Sequence, residues 1–241
     1  MFIKMAKDSV FLSVVIPAYN EERRIVSTVE SVASYCSRLG RVWEIVVVND
    51  GSSDKTARLV RQLARRIPVV FVDNHENKGK GAVVNQGMRI ARGDVALFMD
   101  ADSATRIQEF EKMLPLFAQG FDVVIGSRRM SGARIMKKQP LVRELGGKFF
   151  GWTVHALFGL PFADTQAGFK AFSREARELV FGAQRTFAWA FDVELLVLAR
   201  RFGLRMAQVP IKWEDQAESR VKPLGMVKAF WDLVRLKFLY R

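Results

Sequence analysis

One cysteine, Cys36, and two histidines, His75 and His155, are all that this 241-residue chain has of those two side chains. A single cysteine excludes an internal disulfide and points to a reducing compartment. Cys36 falls in a helical pattern and reads as a packed small hydrophobe. Neither histidine sits in a catalytic motif. Long apolar runs are missing too. The longest nearly uncharged stretch, FFGWTVHALFGLPFA (149–163), holds a His, two internal Gly and a Pro, and is too short to span a bilayer. The opening MFIKMAKDSV lacks the apolar core of a secretory signal. Any membrane contact is therefore expected to be peripheral. Acidic residues are in deficit, 25 against 38 Lys and Arg, which leaves a formal charge of +13. Such a surface favours polyanions: nucleic acid, phosphorylated ligands or an anionic leaflet. The bland alternative is a soluble enzyme from a basic proteome.

What is present is an alternation of strand and helix patterns over 49% hydrophobic residues. Strands are expected at 11–18, 43–50, 69–74, 94–100, in FDVVIGS (121–127) and at 205–213. Helices are expected at 20–39 with Asn20 as N-cap, at 52–66 with a Ser cap, at 81–92, after 105 with a bend near Pro115, and at 191–203. Runs that are apolar on both faces, separated by helices, predict a mostly parallel sheet covered on both sides. No repeat or linker interrupts residues 1–241, so a single α/β domain is expected. The segment 128–148 carries seven basic residues and one acid. Its first half reads as a loop.

Three strand ends carry chemistry. IPAYNEE (16–22) offers Pro17, Tyr19 and Glu21, or is an ordinary turn with a good cap. VVVNDGSSD (46–54) ends in Asp50, an acceptor for a ribose or base edge, or the head of an Asx-turn. FMDADSAT (98–105) puts Asp100 and Asp102 around Ala101, as metal ligands or as an acidic turn. Between them NKGKGA (77–82) sets Lys78 and Lys80 among glycines at a helix start, a plausible phosphate site but neither a Walker loop nor a dinucleotide fingerprint. Together on one rim, these ends suggest a nucleotide site with Mg²⁺ or Mn²⁺ bridging carboxylate and diphosphate.

In the order SVVIPAYNEE, EIVVVNDGSSDKT, NKGKGAVVNQGM, FMDADSAT, DVVIGSRR, DTQAGFKAF, FDVEL and ESRVKPL, the chain resembles family 2 glycosyltransferases of the GT-A fold, from about 10 to 223. Within them it is similar to polyprenyl-phosphate sugar transferases. DTQAGFKAF with FDVEL is more similar to dolichyl-phosphate β-glucosyltransferases, which use UDP-glucose, than to the related mannosyl enzymes, which use GDP-mannose. The resemblance implies that Pro17, Tyr19, Glu21, Val48 and Asp50 hold the nucleoside. Lys80, Asp100, Ala101 and Asp102 would meet the diphosphate, with Asp100 and Asp102 on the metal. Arg128 and Arg143 would face the acceptor phosphate, and Arg220 and Lys222 would close a loop over the donor. Asp102, Arg128 and Arg143 form the implied catalytic set. Mannosyl relatives often place a metal-binding Gln where this chain has Ala104, so Ser103, Thr105 or water would have to fill in.

A lipid monophosphate has a second pKa near 6 and is already an anionic nucleophile at pH 7. It needs cations to position it, not a general base. The basic 128–148 segment followed by apolar 149–162 suits such an acceptor, or is a solvated loop followed by a buried helix. Asp192 in FDVEL would serve as base only with a hydroxyl acceptor; a structural or acceptor-orienting role is favoured. The leading expectation is inverting transfer of glucose from UDP-glucose to a dolichyl or polyprenyl phosphate at the cytoplasmic membrane face. GDP-mannose as donor and a saccharide hydroxyl as acceptor are the alternatives. No recognised nucleic-acid motif appears, so no nucleic-acid partner is expected. The last segment, 224–241, mixes aromatics with cations. It suits a helix in the headgroup region, removable without loss of donor binding, or a helix packed on the sheet.

Overall fold

The computed structural model describes residues 9–137, 141–162, 164–214 and 223–240. The first half alternates β1 (Leu12–Ala18), α1 (Ile25–Ser37), β2 (Trp43–Asp50), α2 (Thr56–Leu63), β3 (Val69–Asn74), α3 (Lys80–Ile90) and β4 (Val95–Met99). A 3₁₀ turn (Ile107–Lys112) and the short α4 (Leu114–Ala118) follow, with Pro115 in the first turn of α4. Then come β5 (Val123–Ser127), β6 (Arg134–Lys137), α5 (Leu141–Phe158), β7 (Phe169–Ser173), α6 (Arg174–Ala183), α7 (Phe191–Arg201), β8 (Met206–Pro210), β9 (Lys212–Glu214) and α8 (Pro223–Leu239). Seven strands make one sheet in the order β3-β2-β1-β4-β7-β5-β8, and β6 pairs with β9 beside it.

The sheet is parallel except for β7, which runs antiparallel between β4 and β5. Alternate residues of each strand feed opposite layers, as a two-residue repeat requires. Val15, Val46, Val48 and Phe98 pack under α3, α6, α7 and α8, whereas Val14, Ile16, Ile45 and Leu97 pack under α1, α2 and the 3₁₀ turn. The mostly parallel, two-sided α/β sheet is thus present.

Several local expectations are corrected. Asn20 is not an N-cap: α1 begins at Ile25, and Asn20 takes φ 54° in a turn tied to the next loop. α2 begins at Thr56, so residues 52–55 belong to that loop and no Ser caps the helix. Residues 141–148 are helical, the apolar 149–158 being the continuation of α5. The strand expected over 205–213 is two strands in different sheets, because Ile211 turns the chain and buries its own side chain at 0% exposure. The first half of 128–148, expected as a loop, contains β6, which pairs with β9; β7 and α6 carried no expectation from the pattern.

The carboxy-terminal helix docks on the core. Leu233 and Leu236 are buried with the α7 side chains. The Tyr240 hydroxyl donates to Glu194 (2.6 Å), and Lys237 Nζ donates to the Leu157 carbonyl (2.5 Å). Its other face leaves Trp231 and Phe238 more than 60% exposed, and the neighbouring α5 does the same with Phe149 and Trp152. Deleting 224–241 is therefore expected to open the core. Leu236→Ala should cost about 2–5 kcal/mol in urea unfolding, the usual price of a buried leucine, while Trp231→Ala stays within about 0.5 kcal/mol. Equal effects of the two would show that α8 is not docked as described.

Candidate active site

Parallel pairing of β2 with β1 and of β1 with β4 sets their carboxyl ends side by side. The loops that leave these ends are joined to one another. The Asn20 main-chain N–H donates to the Ser52 hydroxyl (2.9 Å), and its side-chain carbonyl accepts from the Ser53 N–H (2.8 Å). Glu21 N–H donates to the Thr56 hydroxyl (2.8 Å) and Glu22 N–H to Asp54 (3.1 Å). Asn20, Glu21, Glu22, Arg23, Arg24 and Asp54 line a polar hollow of ≈ 300 Å³ there. Tyr19 stands exposed at its edge in sequence.

Asp50 ends β2 almost fully buried. Its two oxygens accept the main-chain N–H groups of Lys78 (2.6 Å) and Gly79 (3.1 Å). This carboxylate therefore holds the glycine-rich turn that starts α3, and its spare lone pairs are what it can offer a ligand. Gly51 must be glycine: its φ is 67°, and a Cβ would stand 2.6 Å from the Glu76 main chain. Pro17 lies beside Val48 in register. Val48 has no exposed surface and packs beneath Gly87 of α3. Its side chain supports the rim from below.

The turn held by Asp50 delivers Lys80, whose ammonium reaches Asp100 at 2.5 Å. Asp100 sits over Gly168, where a Cβ would come within 2.2 Å of a carboxylate oxygen. Glycine there makes the space the carboxylate fills. Asp102 accepts the Ala104 N–H (2.9 Å). Burial, and then the neighbouring Asp100 charge, push the Asp102 pKa up. Burial opposes the Lys80 charge, but Asp100, Asp192 and Asp102 outweigh it and raise the Lys80 pKa. Ala101 is buried, its carbonyl accepting from the Thr28 hydroxyl (2.8 Å). Ser103, at φ 54°, turns its hydroxyl to Thr28 (3.0 Å).

Behind the rim stands a second layer of charge, in which Arg128 and Asp192 were expected but their partners Asp164 and Lys170 were not. Lys170, the second residue of β7, is 0% exposed; its ammonium donates to Asp192 (2.5 Å) and to the Ala167 carbonyl (2.6 Å). Burial lowers its pKa, and Asp192 offsets part of that. Arg128, just past β5, gives Asp164 three bonds, from its main-chain N–H (3.0 Å), Nε (2.7 Å) and Nη2 (2.9 Å). Its guanidinium also lies 5.3 Å from the centre of the Trp213 ring. The sequence signal for Lys170 is a lysine set inside the apolar run GFKAF. Arg143 is placed in the first turn of α5 by its backbone alone; Arg220 and Lys222 lie outside the described residues.

A two-sided, mostly parallel sheet with carboxylates clustered at its carboxyl rim is a GT-A type of fold. The comparisons agree. Residues 13–180 match the glycosyl transferase family 2 model, and the chain belongs to that family. It is 37% identical to a dolichyl-phosphate beta-glucosyltransferase of Trichomonas vaginalis, over 97% of this chain and 75% of that protein. It is 33% identical to the dolichyl-phosphate beta-glucosyltransferase of Saccharomyces cerevisiae, over 97% of this chain and 76% of that one. Among solved structures it is similar to the glucosyl-3-phosphoglycerate synthase of Mycobacterium tuberculosis in complex with UDP. There the TM-score is 0.64 and the identity 26%, covering 96% of this chain and 82% of that one.

The Arg128–Asp164 clamp yields a pH-linked prediction. Although burial favours the neutral acid, Arg128 holds the Asp164 pKa down at about 2, below the ordinary 3.8. A depressed carboxyl stabilises fully above its unfolded pKa and stops doing so as pH falls through the folded one. Asp164→Asn should therefore cost on the order of 3 kcal/mol at pH 6 in urea unfolding, and clearly less at pH 3. A gap between the two proteins that is unchanged at pH 3 would show the clamp to be uncharged packing.

Proposed function

We propose that this glycosyltransferase moves glucose from UDP-glucose to a dolichyl or polyprenyl phosphate, with inversion at the sugar carbon. The observation that carries the reading is the guanidinium of Arg128, locked by Asp164 and Trp213 next to the Asp100–Asp102 rim. The names of the relatives, which match over nearly the whole chain, supply the acceptor class and the sugar. The bound UDP of a solved neighbour supports uridine over guanosine.

On this reading the polar hollow lined by Glu21 takes the nucleoside, with Tyr19 and Asp50 supplying further contacts. Lys80 takes part of the diphosphate charge. Asp100 and Asp102 fit a hard divalent cation, since paired carboxylates with water and substrate phosphate are the donors Mg²⁺ and Mn²⁺ accept. The burial and mutual repulsion that raise the Asp102 pKa mark a site where added positive charge is favoured. Among the described residues no cluster of three or more His, Cys, Asp or Glu supplies a full protein cage, so the phosphates complete the set. When bound, such a cation neutralises the leaving diphosphate. Ser103 already pairs with Thr28, which leaves Thr105 or water as the substitute for the side chain Ala104 lacks.

Arg128 and Arg143 orient the acceptor phosphate. One of its oxygens attacks the anomeric carbon, and the bond from that carbon to the diphosphate breaks, its electron pair leaving with UDP. No general base is called for, because the nucleophile is ionised at neutral pH. Asp192, which would be the base for a hydroxyl acceptor, is instead committed to buried Lys170. That commitment argues against the saccharide-hydroxyl alternative.

The exposed aromatic faces of α5 and α8 rest on the cytoplasmic surface of a membrane. Trp231, Arg235 and Phe238 share one exposed stripe of α8, and Phe149 stacks on Trp152 in α5 (6.1 Å). Aromatics beside cations suit the headgroup region. Among the described residues no helix is long and apolar enough to cross the bilayer.

Two measurements test the assignment. A panel of UDP-glucose, GDP-mannose, UDP-GlcNAc and UDP-galactose with a short polyprenyl phosphate should yield lipid-linked sugar from UDP-glucose, and Asp102→Ala should abolish it with the melting temperature kept. Product from GDP-mannose alone overturns the donor. For the surface, the Trp231→Ala/Phe238→Ala double variant should lose at least about tenfold in affinity for anionic vesicles while soluble UDP binds as before. Unaltered vesicle binding would move the contact elsewhere.

A further inference from the structure

Lys80 stands at an unusual junction. Its backbone is fixed, because Asp50 holds the two preceding N–H groups and Gly81 lies so close to the Phe187 carbonyl that a Cβ there would be 2.5 Å away. Its side chain is 43% exposed, and its ammonium lies 2.5 Å from Asp100, itself 37% exposed. A long flexible stem on an immobile base can redirect its charge without moving the helix. The partner it holds is one of the two carboxylates that the preceding reading assigns to a divalent cation. Two other cations of this centre already have carboxylate partners: Lys170 is buried on Asp192, and Arg128 is clamped by Asp164.

We propose that Lys80 is the resident counter-ion of the donor site, neutralising Asp100 in the donor-free enzyme and giving that carboxylate up when a divalent cation and diphosphate bind together. This inference rests on the metal reading and adds a consequence to it. An exposed ion pair of this kind is weak, so it can be exchanged. An ammonium beside a divalent cation would repel it even at the dielectric of water. The carboxylates alone are thus kept from holding the cation tightly. The diphosphate changes the balance: it brings negative charge for the displaced ammonium to meet and further oxygen ligands for the cation. Metal and nucleotide would then bind as a pair, with Lys80 coupling them.

The test is binding, not turnover. Mn²⁺ is titrated by calorimetry or electron paramagnetic resonance into the full chain without nucleotide, for wild type, Lys80→Met, Lys80→Gln and Lys80→Arg. The two neutral variants should bind Mn²⁺ about tenfold tighter than wild type, and Lys80→Arg should stay near wild type. In saturating Mn²⁺ the same neutral variants should bind UDP more weakly. The side chain is half in solvent, so the neutral variants leave no core cavity, and a thermal melt of each checks the fold. Unchanged or weaker Mn²⁺ binding in both neutral variants, with wild type still binding Mn²⁺ when UDP is present, overturns the role of Lys80 alone. Absence of Mn²⁺ binding in every protein, with or without UDP, overturns the metal reading and this proposal with it.

Discussion

A lysine ammonium with no access to water must be given a partner or be neutralised, and much of this molecule follows from how Lys170 is served. Its residue lies in the one antiparallel strand, between β4 and β5, with Phe98 under its ammonium at 5.3 Å. Leaving such a charge unpaired would cost several kcal/mol, more than most single contacts can offset. Asp192 meets it from the first turn of α7, which fixes where that helix enters the sheet. α7 in turn buries Glu194, whose carboxylate accepts the N–H groups of Arg185 (2.9 Å) and Thr186 (2.7 Å) and the hydroxyl of Tyr240. One buried pair therefore sets a helix, the turn before it and the docking point of α8.

The same strand shapes the rim. Gly168 immediately precedes β7, and its missing Cβ leaves room for the carboxylate of Asp100. An antiparallel strand in a parallel sheet delivers its amino end to the edge where β1, β2 and β4 deliver their carboxyl ends. That inversion lets DTQAGFKAF contribute Asp164, Gly168 and Lys170 to a site otherwise built from strand-to-helix turns. Asp164 then serves Arg128 across from β5. The cations and carboxylates of the centre are neighbours because the strand order interleaves β7, not because they are near in sequence.

This explains what could be read in advance. β2 and β3 match residue by residue, and the first strands fall nearly where the apolar runs put them, because buried parallel strands are continuous hydrophobic segments bounded by polar turns. Asp50, Asp100 and Asp102 were visible because each closes such a run. Lys170 and Asp164 were not assigned, since a lysine flanked by phenylalanines reads equally as a surface strand until its partner is known, and that partner is 22 residues on. Asn20 failed as a cap for a similar reason. Its preferences for a helix start and for a left-handed turn are both strong, and the bonds to Ser52 and Ser53, over 30 residues away, decide between them.

Charge at the centre carries the argument to the chemistry. Four carboxylates, Asp100, Asp102, Asp164 and Asp192, face three committed or tethered cations, Lys80, Lys170 and Arg128. Asp192 and Asp164 are consumed within buried or half-buried pairs, so only the Asp100–Asp102 rim retains negative charge to use. A nucleotide diphosphate and a lipid phosphate approaching that rim would each add more. An enzyme that must assemble two anions over two carboxylates needs its catalytic effect from added positive charge, placed before the substrates arrive. The excess of basic residues over acidic ones, seven against one in 128–148, is positive charge the protein itself carries. Removing a proton from the nucleophile would contribute nothing to that problem, which is why a centre whose Asp192 is locked to Lys170 is consistent with transfer to a phosphate.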